Sequence, residues 1–353
     1  MTQAEQAPKM TPKIFFNKLL AGTAQGTIVA LIPNAVLGAI LKYFNHIEII
    51  QMIINAALIF QVGTALIIGG LIAKQFDLTP PKIMIVGGAA FAGSGVIKFN
   101  PEIGEMGGFQ AAGTGDIINI MLTAAVAVLM MMWIGNKFGS TEIIALPIVV
   151  GIGAGLVGML TYPYVTQITA LIGKVINSFT EFQPVIASIL IACSFAALII
   201  SPVTTVAIGM AIQLDGVSAG AGAMGIAATT IVLVINSWKV NESGVTLAVA
   251  LGGMKMFMPN LFKYPIVLLP CLVTAAVSAI PVALFNISGT PNSAGFGLVG
   301  LVGPLASLDA GLNIVLLIIS WFVVPIAVGL LSKIIFEKML KLYDSRVVFK
   351  YQG

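Results

Sequence analysis

Polar side chains are scarce in this chain, so the places where they gather carry information. Between Lys98 and Asn119 stand Asn100, Glu102, Glu105, Gln110, Thr114, Asp116 and Asn119. Between Asn286 and Asn313 stand Asn286, Ser288, Thr290, Asn292, Ser293, Ser307, Asp309 and Asn313. A third group is Asn236, Lys239, Asn241, Glu242, Ser243 and Thr246, followed by Lys255, while Asn34 and Gln61 sit inside apolar runs. Asn and Gln both donate and accept hydrogen bonds, and carboxylates accept from paired hydroxyls. Such a set suits an uncharged, polyhydroxylated ligand. An anionic ligand would call for several cations, of which only Lys98 and Lys255 stand out. A cation path would call for acids in mid-helix, and none is found there.

Each of these residues also has a plainer reading. Asp116 and Asp309 each precede an apolar run, where an aspartate serves as a helix N-cap. Glu102 and Glu105 suit an outer, water-facing surface, and Lys239 and Glu242 suit an exposed pair. Lys255, between Gly252-Gly253 and Phe257, could extend its ammonium to an interface. Covalent chemistry finds no set of residues. The one histidine, His46, lies in the loop segment KYFNHIE. Cys193 and Cys271 fall inside apolar runs and read as small core residues. No metal-ligand spacing, Ser-His-Asp set or phosphate-binding Gly-Lys loop can be assembled, so no cofactor or metal is expected.

The elements that must position these groups follow from composition. Of 353 residues, 58% are hydrophobic and 8% charged, with a mean hydropathy of +1.06. Soluble domains carry about 25% charged residues, and 8% cannot cover a water-facing surface. The expectation is an all-α polytopic membrane protein. Its 38 glycines fit close helix packing and broken helices in a bilayer. About 20 apolar residues cross the hydrocarbon core as a helix. On that measure about 10 transmembrane helices are expected, at 14–41, 49–73, 82–97, 117–134, 143–176, 184–214, 219–238, 245–258, 265–285 and 314–336. The fifth is interrupted at Tyr162-Pro163-Tyr164, and the eighth is short enough to be re-entrant. No cleaved signal peptide is expected at the polar N-terminus.

Lysine placement orients the chain. Lys9, Lys13 and Lys18 flank the first span, and Lys333, Lys338, Lys341, Arg346 and Lys350 follow the last. Loops on the same side add Lys74, Lys82, Lys137 and Lys263, against Lys42, Lys98, Lys174 and Lys239 opposite. By the positive-inside rule both termini are expected in the cytoplasm. The net charge of +4 therefore reads as topology, with no nucleic-acid partner expected.

The stretch from Asn286 to Asn313 holds Gly289, Gly295, Gly297, Gly300, Gly303 and Gly311 with Pro291 and Pro304. It cannot be a regular span, and irregular backbone at membrane depth must be buried in protein or line a water-filled cavity. It echoes the earlier stretch: Phe99-Asn100, a Gly-rich run, then Asp116 and Asn119-Ile120, against Phe285-Asn286, a Gly-rich run, then Asp309 and Asn313-Ile314. Two re-entrant or hairpin segments, 98–116 and 286–313, are expected to hold the ligand. Two related halves, 14–140 and 184–337 joined by a helix at 143–176, would explain the echo within one membrane domain spanning 1–353. A Pro pair, Pro33 and Pro202, implies a different offset.

Three segments carry a family resemblance: Leu31–Ile40 (LIPNAVLGAI), Gly113–Val128 (GTGDIINIMLTAAVAV) and Ser288–Pro304 (SGTPNSAGFGLVGLVGP). They resemble the membrane-embedded IIC subunits of the bacterial phosphotransferase system (PTS) for sugars, most closely the stand-alone IIC-like branch that includes perfringolysin regulator-type proteins. The resemblance implies a multi-pass protein of the bacterial cytoplasmic membrane, a homodimer, a sugar held near mid-membrane by helical hairpins, and a separate cytoplasmic IIB partner that donates a phosphoryl group. Glucose-type IIC proteins place a Glu before Pro in a Gly-Ile-Thr-Glu-Pro pattern. Here Gly289-Thr290-Pro291 passes that position without a carboxylate, and the family's membrane-embedded histidine has no counterpart. Enzymatic action is thus expected at most as the membrane subunit of a sugar phosphotransferase. The residues expected to contact the solute are Asn100, Glu102, Asp116, Asn119, Asn286, Thr290, Asn292 and Asn313, with Lys255 pairing a carboxylate. A solute-binding sensor and an ion-coupled secondary transporter remain the alternatives to a permease.

Overall fold

A computed structural model describes residues 10–103, 107–111 and 113–352. Glu105 and Lys9 lie outside the described residues. The structure is 77% helical, in keeping with the expected all-α membrane class. Helix α1 (Pro12–Leu41) is capped by the Thr11 hydroxyl and bears Pro33 in its interior. Helices α2 (Glu48–Val62) and α3 (Thr64–Gln75) meet at Gly63 with a 52° bend. Helix α4 (Pro80–Gly93) leads to a short antiparallel hairpin, β1 (Ile97–Asn100) and β2 (Gly108–Ala111), and then to α5 (Ile117–Ile134).

A continuous helix α6 (Gly139–Glu181) follows, 43 residues long. It is about 64 Å in length at 1.5 Å per residue, roughly twice the hydrocarbon thickness. The expected interruption at Tyr162-Pro163-Tyr164 does not occur: Pro163 is accommodated inside the helix. The irregularity lies earlier, where Pro147 opens a π-helical turn through Ile152. The remaining elements are α7 (Pro184–Ile200), α8 (Thr205–Ala211), α9 (Gly216–Ser237), α10 (Ser243–Ala250), α11 (Met258–Lys263), α12 (Pro265–Leu284), α13 (Val302–Asp309), α14 (Ile314–Met339) and α15 (Ser345–Val348).

Two buried apolar clusters organise these helices. One is built by α1, α3, α4, α5 and the first half of α6, with Ile68, Ile72, Val86, Ile120, Val128 and Val150 at its centre. The other is built by α7, α9, α12 and α14 with the C-terminal segment, around Phe195, Phe257, Trp321 and Phe349. Leu20 and Ala24 of α1 join Met258 in a smaller cluster, with Met121 of α5 packed against it. It packs the N-terminal half of α1 onto α11.

Among the described residues, six helices are long and apolar enough to cross a membrane, or seven if the bent α2–α3 pair is one span. The expected count of about 10 is not reached by this measure, because three of the expected spans form short helices. These are α4 with 14 residues, α7 with 17 and α10 with 8. Two of the three also turn back. After α7 the chain returns through α8 to the helix it left, so that a Cβ placed on Gly173 of α6 would meet Ile212 Cγ2 at 2.9 Å. Asn241, before α10, and Asn260, in α11, both bond the C-terminal segment, at Phe349 O (2.7 Å) and Val348 O (2.8 Å). The segment between them thus begins and ends on the same side. Lys239, expected opposite the termini, lies two residues from Asn241 and so stands beside the chain's end.

Candidate functional site

A cavity of about 1130 Å³ lies between the two helix groups. The first group contributes Asn34 of α1 and Lys42 just after its end, Gln61 of α2, Gly95, Lys98, Thr114 and Asp116 around the β-hairpin, and Tyr162, Thr166, Thr169 and Lys174 of α6. The second contributes Thr204, the α8 wall from Val206 to Ile212, then Thr290, Asn292, Ser293 and Asp309. Only the C-terminal half of α1, from Leu31 onward, reaches it. The other half of α1 carries the sealed packing of Leu20 and Ala24. The cavity therefore opens toward the end of the bundle remote from the N-terminus.

Two chain breaks shape the wall in the same way. At the end of α4, Ser94 Oγ donates to Phe91 O (2.6 Å) and accepts from Val96 N (3.1 Å). At the end of α7, Ser201 Oγ donates to Leu198 O (2.7 Å) and accepts from Val203 N (3.2 Å). Each serine closes its helix and turns the chain into the cavity. At the first break Gly95 takes φ +75°, and a Cβ there would lie 2.1 Å from the Tyr162 ring. The close approach of backbone to ring requires glycine.

Asp116 caps a helix and also stands on the cavity wall. Its Oδ1 accepts from Asn119 N (3.0 Å), capping α5, and its Oδ2 accepts from Thr169 Oγ1 (2.9 Å) at the cavity wall. Asp309 caps nothing. It is the last residue of α13, and the N-cap of α14 is Asn313, whose Oδ1 accepts from Val315 N (2.8 Å). Asp309 instead pairs with Lys42 across the mouth of the cavity, Nζ to Oδ2 3.3 Å. Burial alone would lower the Lys42 pKa, but hydrogen bonds to Tyr43 and Asp309 outweigh it and raise the group above its ordinary 10.5. Lys42 therefore remains a cation at neutral pH.

Of the residues expected to touch solute, the structure brings Asp116, Thr290 and Asn292 to the cavity. Thr290 and Ser293 brace each other, Thr290 N donating to Ser293 Oγ (2.8 Å) and Ser293 N to Thr290 Oγ1 (3.2 Å). The other six lie elsewhere. Asn119 is fully buried, donating to Gly93 O (2.6 Å) and Gly158 O (2.9 Å) and accepting from Thr161 Oγ1 (2.8 Å), so it ties α4, α5 and α6 together. Asn100 bonds Gln110 across the β-hairpin (3.3 Å) and accepts from Glu102 N (2.9 Å), with Glu102 exposed to solvent. Asn286 is exposed with φ +51° at the end of α12. Asn313 is an exposed cap. Lys255 is buried, and it pairs with no carboxylate among the described residues, in contrast to the expectation. Its Nζ donates to Ser201 O (2.5 Å) and Val203 O (2.8 Å).

The two expected hairpins also differ from each other. The stretch 286–313 folds back into the protein, with Gly289 N bonded to Gly216 O (2.9 Å) and Gly303 N to Gly297 O (2.8 Å). Gly297 (φ +60°) lies so close to α9 that a Cβ would meet Ile226 Cβ at 2.7 Å. The stretch 98–116 instead carries a two-stranded β-hairpin whose Phe99 and Phe109 are exposed and stack edge to face. The third polar group has a structural partner in the C-terminal segment. Asn236 Oδ1 accepts from Ser345 Oγ (2.9 Å), and Asn241 Oδ1 from Tyr351 N (2.8 Å).

Residue-by-residue reading of the sequence missed Tyr162, Thr166 and Thr169. Their spacing of i, i+4 and i+7 places them on one face of a helix. The signal was present but was masked by taking Pro163 as a break. Asn34 donates to Gln61 Oε1 between α1 and α2. That joins the two isolated polar residues of the first spans into one element of the wall.

The chain is a mostly helical, multi-pass membrane protein with a cavity between its two helix groups. The sequence model described as Phosphotransferase system, EIIC matches residues 17–348. The chain belongs to that family, which supports a sugar-transport permease function. No curated protein sequence and no solved structure matches it.

Proposed function

We propose that this protein is the membrane permease subunit for a sugar-like solute, and that the inter-lobe cavity is its solute site. The observation that supports this most is the lining. Hydroxyl, amide and carboxylate groups from three interrupted segments, set among mostly apolar neighbours, converge on a volume of about 1130 Å³, just above the range of about 300–1,000 Å³ usual for small-molecule sites. Asp116, Thr290 and Asn292 are the solute contacts from the expected set, joined by Asn34, Gln61 and Thr169. Lys98 and Lys174 also line the cavity and form no ion pair among the described residues. A sugar bearing an acidic group is therefore admitted beside neutral ones.

The proposed mechanism is alternating access between the two helix groups. Eight crossings fit the chain reversals: α1, α2–α3, α4, α5, α6, α9, α12 and α14, with folded-back segments at α7–α8, α10–α11 and 286–313. An even count keeps both termini on one side, the cytoplasm by lysine placement. A separate IIB protein as phosphoryl donor, a homodimer and a bacterial cytoplasmic-membrane location are part of this proposal, as the family resemblance implies them.

A second reading, a solute sensor, is favoured by one observation: among the described residues the cavity lining contains no histidine, cysteine or glutamate. Thermal-shift screening of purified protein against hexoses, hexitols and hexuronic acids, followed by uptake of the best binder into proteoliposomes, tests both. Uptake supports the permease, and binding without uptake supports the sensor. Binding that is unaffected by Asn292→Ala and Asp116→Asn would remove the cavity as the site.

A further inference from the structure

A buried ammonium usually sits against a carboxylate, because an isolated charge is costly in a low-dielectric interior. Lys255 does not. It is 6% exposed, forms no ion pair among the described residues, and points its Nζ at Ser201 O and Val203 O. Those carbonyls flank Pro202, where α7 has ended and α8 has not begun. The C-terminal end of a helix carries partial negative charge from its unpaired carbonyls. Unwound carbonyls at such half-helix ends are the ligands by which membrane transporters hold a coupling Na⁺.

The first break offers an internal comparison. Ser94 stands in the same serine-closed turn as Ser201, yet Ser94 O is bonded by the backbone N–H of Asp116 (3.2 Å). At the second break the corresponding carbonyl, Ser201 O, receives the Lys255 ammonium. Val203 O belongs to the peptide plane that leads into Thr204, whose side chain is 8% exposed and whose hydroxyl has no hydrogen-bond partner. From Thr204 to Ile212 the chain forms one wall of the cavity. Whatever holds Val203 O therefore fixes where that wall starts.

We infer that Lys255 is a tethered cation, occupying the carbonyl site at the α7–α8 break that a diffusible metal ion would otherwise fill, and that it is a positioning residue for the α8 wall. This rests on the reading of the cavity as a solute site. It adds that the site needs no coupling sodium ion to assemble. Lys255 touches no solute. Its ammonium replaces a bound ion that would have to be taken up and released in each cycle.

The test uses the full-length chain in detergent and no solute, so it stands apart from the permease reading. Lys255→Ala leaves a hole of ammonium size at the carbonyls. Its thermal midpoint should fall and should be restored by methylammonium or sodium chloride, but not by tetramethylammonium, whose four methyl groups keep its charge away from the carbonyl oxygens. Wild type should respond to none of them. The wall is followed by maleimide labelling of Ala207→Cys in a Cys193→Ser, Cys271→Ala background. Lys255→Met, which keeps the stem and loses the charge, should change the labelling rate several-fold, and methylammonium should restore the wild-type rate in Lys255→Ala. If either variant folds only when methylammonium is present during extraction, the inference is supported. Unchanged midpoint and labelling, or loss of folding that no small cation reverses, would overturn it.

Discussion

Lys42 and Asp309 stand 3.3 Å apart, Nζ to Oδ2, and join the end of α1 to the end of α13 across the mouth of the cavity. The two residues are 267 positions apart in the chain and belong to different helix groups. Both side chains are substantially exposed, 42% and 57%, and exposed pairs contribute about 0.2–1 kcal/mol, weakened further by salt. Such a pair suits a contact that must open. Lys42→Met should leave the thermal midpoint nearly unchanged while raising the rate at which a cysteine at Asn292 is labelled from outside. The exchange Lys42→Asp with Asp309→Lys should return the slow rate. Identical rates in all three proteins would show that the pair does not guard the cavity.

Asp116 has two tasks that substitution can separate. Asparagine keeps an oxygen to cap α5, whereas alanine does not, and losing an N-cap costs about 0.5–2 kcal/mol. Asp116→Ala is expected to lower stability and solute affinity together. Asp116→Asn is expected to keep most of the stability and lose affinity. Chemical denaturation and isothermal titration with the best-binding sugar measure the two effects. Loss of stability alone in both variants would leave Asp116 as a cap only.

Asn119 should behave as a structural residue. Replacing it by alanine removes the buried amide donor to Gly93 O and Gly158 O, of which Gly158 O keeps the Thr161 hydroxyl (3.1 Å). Each buried group left unpaired costs about 1–3 kcal/mol. A marked fall in thermal midpoint is expected, with the affinity of the surviving folded fraction close to wild type. A stable Asn119→Ala protein with weakened binding would contradict this.

Gly95→Ala is expected to be among the most damaging small substitutions. The position has φ +75° and its new Cβ would fall 2.1 Å from Tyr162 Cε2. Overpacking costs typically about 1–3 kcal/mol, with backbone strain in addition. Adding Tyr162→Ala should recover the steric part and leave the strain. Folded yield by size-exclusion chromatography ranks the three proteins, and a Gly95→Ala yield equal to wild type would refute the close approach.

How far the sequence could be read depended on whether the answer was local. The boundaries of α5 were legible because an unbroken apolar run follows a capping aspartate, and the observed helix is Ile117–Ile134. The 286–313 stretch was legible as non-helical because its glycines and prolines restrict the backbone wherever they stand. The β-hairpin at 97–111 was not legible as strands, since four-residue strands are too short to show a period. Nor was the folding back of α10–α11, whose evidence is the pair of asparagines that clasp the C-terminal segment, 108 residues downstream of Asn241 and 88 to 90 of Asn260.

Composition and apolar run length by themselves determined that this is a polytopic helical membrane protein, because desolvation in a bilayer acts on every residue independently of its neighbours in space. Three short motifs placed it in its family. Which polar residues face one cavity was decided only by the tertiary structure. Asn119 and Asp116 are three residues apart on α5 and its cap, yet one is locked between helices and the other lines the site. The physical reason is that a side chain's direction depends on helix phase and on what packs opposite it. For Lys255 the same rule decided that its partners are two backbone carbonyls rather than a carboxylate.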